Sequence, residues 1–156
     1  MATPTTRPAF TNGQVNRAGQ RWVEFFRAAR GSGATIAGFG LNELDEALRA
    51  IEWWRSEHAY PLRMASAGLR HYIPPFAGGS RPVTQRLKRF GTIIDKLERE
   101  PTMGLTQMAD IGGVRAILQD QGHVQATVRR LRKNWDVPRV RDYVVEPKPS
   151  ATVPCI

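Results

Sequence analysis

Six side chains between Arg86 and Arg115 have types and a spacing that could do chemistry. Arg86 is followed by Lys88, Thr92 and Lys96, at steps of two, four and four residues, and all four are donors. The turn that follows carries one carboxylate, Asp110, with Arg115 five residues on. A row of cations and a hydroxyl opposite a lone carboxylate suits a polyphosphate chelated by a divalent metal. The cations meet phosphate oxygens, and an oxygen-seeking ion takes carboxylate and phosphate together. From composition alone the plainer reading is the better one: a solvated basic helix followed by an N-cap aspartate.

Those residues need a scaffold. The stretch from Arg81 reads as one basic helix, with Leu87, Phe90, Ile94 and Leu97 as its inner stripe and Arg86 and Lys88 off it. Gly112 and Gly113 let the backbone bend tightly beside Asp110. Val114, Ala116, Ile117 and Leu118 then form a short strand, expected to be covered on both faces. Val124, Val128 and Leu131 mark a helix between Gln121 and Trp135. Arg129, Arg130, Arg132 and Lys133 along it are a solvated face or a polyanion contact. The segment VPRVRDYVV, 137–145, reads as a second strand.

Upstream, residues 1–14 are rich in Thr, Pro and Gly and read as a frayed arm. Val15 to Arg30 carries Val15, Trp22, Phe25 and Phe26 on one helical face. GSGATIAGFG, 31–40, is a loop. Asn42 is the expected N-cap of the next helix, with Asp45 completing an approximate capping box. Leu44, Leu48 and Ile51 carry that helix to Pro61. Leu62 to Tyr72 reads as a further short helix, ended by Pro74 and Pro75. Trp53, Trp54 and Arg55 are read as core at the end of an amphipathic helix, with base stacking as the alternative.

The chain has 156 residues, 41% of them hydrophobic, enough for one domain with a sizeable core. Its 23 Lys and Arg against 14 Asp and Glu leave a formal charge of +9. That excess attracts polyanions such as nucleotides, RNA or an anionic surface without choosing among them. No apolar run approaches the roughly 20 residues of a membrane span, and MATPTTRPAFTNGQ lacks the apolar core of a secretory signal. Cys155 is the single cysteine, and three scattered histidines offer no zinc constellation. The expectation is a cytoplasmic protein.

RLKRFGTIIDK and DIGGVR, with WRSEHAYPL before them and DYVVEPKPS after, resemble in order and spacing the synthetase domain of the RelA/SpoT family of alarmone enzymes. The resemblance covers about Trp54 to Ser150. It implies an α+β fold, a nucleotidyltransferase-like mixed sheet flanked by helices, here cut short with about two strands and a helical N-terminal half. The implied organisation is a flexible arm (1–14), a helical N-terminal region (15–80), a partial synthetase core (81–150) and a tail (151–156). The implied reaction is transfer of pyrophosphate from ATP to the 3′-OH of GDP or GTP, giving AMP and (p)ppGpp. In the family, residues matching Arg86 and Arg115 sandwich adenine, and those matching Lys88, Thr92 and Lys96 hold phosphates. The acid matching Asp110 binds Mg²⁺, and the lysine matching Lys148 meets the acceptor's phosphates. Thr92 replaces the usual serine and keeps the hydroxyl. Asp142 and Tyr143 also match a family motif, with Tyr143 read first as a strand residue packed into the sheet.

The likeness stops after Ser150. Where the family continues with glycine, tyrosine, arginine, a small residue, an aliphatic and histidine, this chain has Ala151 to Ile156. The guanine-stacking tyrosine and a second catalytic glutamate have no counterpart here. TCG GCT ACC GTG CCC TGC ATC is one legal coding of Ser150 to Ile156. A single G restored after its first codon turns that into S-G-Y-R-A-L-H, the family's own continuation. The tail is therefore expected to be out-of-frame translation, and the chain to bind ATP without turnover. Two other functions fit the same residues. A toxic small synthetase would pyrophosphorylate the 3′ end of tRNA and could have an antitoxin or form a homo-oligomer. A non-catalytic basic module would bind RNA or a partner.

Overall fold

Helix α1 (Asn12–Arg30) begins three residues earlier than the apolar periodicity starts, because Thr11 caps it. The Thr11 hydroxyl accepts from the Gln14 amide at 3.3 Å, and Gln14 Oε1 accepts from the Thr11 amide at 2.8 Å. Residues 12–14 of the expected arm are therefore helical, Phe10 already packs on the core, and residues 1–8 lie outside the described residues. The computed structural model describes residues 9–31, 38–74, 83–143 and 145–146.

Helix α2 (Leu41–Glu57) starts after Gly40, so Asn42 lies inside its first turn and caps nothing. It ends at His58, and α3 (Ala59–Tyr72) resumes at once. Pro61 sits in the first turn of α3, where a missing N–H costs no helical bond. The expected break at Pro61 thus falls three residues earlier. Val15, Ala18 and Val23 of α1 meet Ala47, Ala50 and Ile51 of α2 in one buried cluster, with Trp53 and Trp54 packed against it. The tryptophan pair is core, as its position in an amphipathic helix implied.

Strand β1 (Val83–Leu87) replaces the first half of the expected basic helix. It pairs antiparallel with β2 (Gly112–Ala116) in the register Arg86 to Gly113 and Thr84 to Arg115. The correction has a physical cause. Val83 is buried and Leu87 half-buried, but Gln85, on the same side of the strand, is polar and exposed, with its Oε1 accepting from the buried Ser66 hydroxyl of α3 at 2.8 Å. An exposed polar residue between the two apolar ones hides the period of two. Helix α4 (Phe90–Arg99) then buries Ile93, Ile94 and Leu97 in the α1–α2 cluster. Of the expected stripe, Ile94 and Leu97 are buried on α4, Phe90 packs edge-on against Trp22, and Leu87 belongs to β1.

Helix α5 (Gln121–Asn134) follows β2 and packs on α3. Its expected inner residue Val124 is 42% exposed, and Thr127 takes the buried place instead. Among the described residues the sheet is covered by α3 on one face only. Gly112 lies so close to α3 that a Cβ there would meet Leu62 at 2.8 Å, whereas nothing stands within 4 Å of one at Gly113 on the other face. Ile117, expected to be covered, is 66% exposed. Residues 137–143 form no strand. Val140 and Tyr143 are exposed, and the chain turns where the Glu146 amide donates to the Asp142 carbonyl at 2.9 Å. Alternation alone makes no strand without a neighbouring edge to take its N–H and C=O groups. The fold of the described residues is α+β, with helices filling the N-terminal half and a two-stranded antiparallel sheet after it.

Candidate functional site

The candidate residues gather where β1 ends and β2 begins. Past the last paired residues, the Lys88 amide donates to the Ile111 carbonyl at 2.7 Å, so the ladder holds one step further. That step places Lys88 against Asp110. Lys88 Nζ donates to Asp110 Oδ2 at 3.0 Å, and Lys96 Nζ, from the second turn of α4, donates to Asp110 Oδ1 at 2.8 Å. The Asp110 side chain is 53% exposed, while those of Lys88 and Lys96 are 13% and 21% exposed. The hydrogen bond from Lys96, reinforced by Lys88 and by both positive charges, holds the Asp110 carboxyl down at about 2. It is ionised at any physiological pH.

Arg86 and Arg115 are diagonal neighbours on the uncovered face of the sheet, as the register of Arg86 to Gly113 and Thr84 to Arg115 requires. With Thr84, Gln85, Gly113 and Val114 they line a cleft of ≈ 380 Å³. The bare Gly113 opposite Arg86 leaves its floor flat. Thr92 stands in the first turn of α4, one turn before Lys96, and is exposed. The structure thus joins Lys88, Lys96 and Asp110 directly and sets Arg86 and Arg115 side by side two and five residues away. Lys148 and residues 151–156 lie outside the described residues.

Two features escaped the sequence. The break between β1 and α4 creates a helix N-terminus at Arg89, with no side chain capping it. Its first amides donate to no capping side chain, and a helix start of that kind favours an anion. The Gly91-Thr92 pair after two cations was the one available signal. The second is Arg55, whose Nε donates to the Lys88 carbonyl at 2.9 Å.

An ionised, half-exposed carboxylate flanked by cations fits Mg²⁺ shared with a polyphosphate. Among the described residues no three His, Cys, Asp or Glu side chains gather as a metal cage. Any ion held by Asp110 would complete its shell from phosphate and water. Among the described residues no helix is long and apolar enough to cross a membrane.

Residues 85–152 match the family model described as the region found in RelA / SpoT proteins. No curated protein matches the chain. The match runs from the third residue of β1 through α4, β2 and α5, and this part of the chain is similar to that RelA / SpoT region.

Proposed function

We propose that the β1–α4–β2 unit is the donor half of a nucleotide pyrophosphokinase that moves pyrophosphate from ATP to the 3′-OH of GDP or GTP. The observation that carries this reading is the single carboxylate of Asp110 bracketed by Lys88 and Lys96 beside an open, arginine-lined cleft. Adenine stacks between Arg86 and Arg115, whose planar guanidinium groups suit an aromatic face. Lys88, Lys96, the Thr92 hydroxyl and the free amides of α4 take the phosphate oxygens. Asp110 holds Mg²⁺, which supplies charge neutralisation at the phosphates when bound. Both lysines donate to Asp110, so binding a nucleotide exchanges carboxylate for phosphate oxygens at their ammonium groups. Lys148 is assigned to the acceptor's phosphates.

The 156-residue chain by itself is expected to bind ATP and release no AMP, since Ala151 to Ile156 supply neither an aromatic platform nor an acid. The test is ATP binding together with AMP formation in the presence of GDP or GTP. Binding without AMP fits the reading, AMP release overturns the inactivity, and no ATP binding overturns the site. Nucleotide sequence beyond the codon for Ser150 tests the altered frame. A second reading, with the 3′ end of tRNA as acceptor, draws on the cation-rich end of α5, where Arg129, Arg132 and Lys133 are exposed beside Trp135. Replacing those three by alanine would leave ATP affinity within about twofold and weaken tRNA binding severalfold at low salt. Salt-sensitive RNA binding that survives Asp110→Asn and Arg115→Ala would mark a non-catalytic module instead.

A further inference from the structure

The W-R-S-E-H stretch of α2 lies outside the cleft, yet one of its side chains reaches the site through the backbone. Arg55 is 20% exposed, and its Nε donates to the carbonyl of Lys88 at 2.9 Å. The Lys88 amide is held from the other side by Ile111 at 2.7 Å. Both backbone groups of the residue linking β1 to α4 are therefore anchored, one to β2 and one to α2. The guanidinium is itself fixed, because its Nη1 donates to both carboxylate oxygens of Glu52 one turn back on α2. A fork held at one end and donating at the other has little freedom to turn. Glu52, Arg55, Lys88 and Asp110 thus form a continuous chain from α2 to the carboxylate.

We infer that Arg55 is a positioning residue for the donor nucleotide: it fixes the carbonyl of Lys88 so that the Lys88 ammonium and the uncapped start of α4 face the same phosphate. A lysine with four rotatable bonds loses much freedom on gripping a phosphate, and anchoring its backbone reduces that loss. Arg55 touches no nucleotide in this arrangement and acts through Lys88 alone. It rests on the donor-site reading, and its own geometry is testable without that reading.

The experiment is a double-mutant cycle on Mg²⁺·ATP binding by the whole chain, with Arg55→Ala, Lys88→Ala and the pair. Arg55→Ala should weaken ATP about tenfold alone, in keeping with loss of one charged hydrogen bond. In the Lys88→Ala background it should add less than about twofold, since coupled residues are not additive. Arg55→Lys and Glu52→Gln give milder versions of the same pattern should Arg55→Ala fold poorly. Ser66→Ala cuts a different tie to the same strand and should leave ATP affinity unchanged. Equal loss in both backgrounds, or no loss in either, overturns the inference. If the parent chain binds no ATP, the donor-site reading falls, and amide exchange still decides the tether. Arg55→Ala should then speed exchange at Lys88 and Arg89 relative to Ile94, and unchanged exchange there refutes the anchor.

Discussion

The chain contains two successive strand-to-helix units, β1–α4 and β2–α5, and both helices are basic near their ends. They differ in what lies beneath them and in what stands at their N-termini. Helix α4 buries Ile93, Ile94 and Leu97, while α5 buries only Thr127. Helix α5 is capped by its own Asp120, which accepts from the His123 amide at 2.8 Å, and α4 has no side-chain cap. The cations of the first unit converge on a fixed carboxylate, and Arg129, Arg132 and Lys133 of the second lie along a solvent-facing surface. Positive charge alone does not distinguish them. Rigid support and an open helix terminus do, because a phosphate site needs donors already in place before the ligand arrives.

Removing the support should have the largest effect. Ile94, 2% exposed, is expected to cost about 2–5 kcal/mol on replacement by alanine, whereas Val124→Ala on α5 should cost under about 0.5 kcal/mol. Urea denaturation of the two variants compares the units directly. Lys96→Ala should come next, lowering ATP affinity by about 1.5–3 kcal/mol with the melting temperature little changed, as befits loss of a charged hydrogen bond to the ligand. Calorimetric titration with Mg²⁺·ATP reads it.

Giving α4 the cap that α5 already has would sharpen the contrast. Arg89→Asp should stabilise the fold by about 1 kcal/mol through a new N-cap, and at the same time weaken ATP binding by occupying the same amides. A variant that gains stability and keeps its affinity would show that the α4 terminus takes no part.

The smallest effect is on acid stability. Asp110 stays ionised in the folded chain down to about 2, against an ordinary 3.8. Between those values the unfolded chain carries the extra proton, so stability rises with pH across that window. The contribution is complete above about pH 4 and lost as pH falls towards about 2. With the carboxylate half exposed, screening leaves it on the order of 1 kcal/mol. Asp110→Asn should flatten the pH dependence of the unfolding midpoint there.

Helices α1 and α2 could be read from apolar spacing because their burial is one-sided and repeats with the helical period. The aspartate–glycine turn and the cationic residues were legible for another reason: their types and intervals suit one ligand. The break at Arg89 was not, since the polar, exposed Gln85 interrupts the apolar alternation of β1 and its partner Ser66 lies nineteen positions away. Local pattern cannot carry such a partner. The reverse error befell 137–145, where alternation promised a strand that no described edge completes. Arg55 stayed hidden because its target is a backbone carbonyl, and a carbonyl has no side-chain signature.

The central claim is that Lys88, Lys96 and Asp110 serve one magnesium–triphosphate ligand. Its most direct test is ATP affinity with Mg²⁺ and with EDTA, in the parent chain and in Asp110→Asn. The expected result is tighter binding with Mg²⁺ in the parent, and loss of that preference in the variant, whose freed lysines bind metal-free ATP more tightly than before. An equal Mg²⁺ preference in both proteins would contradict it.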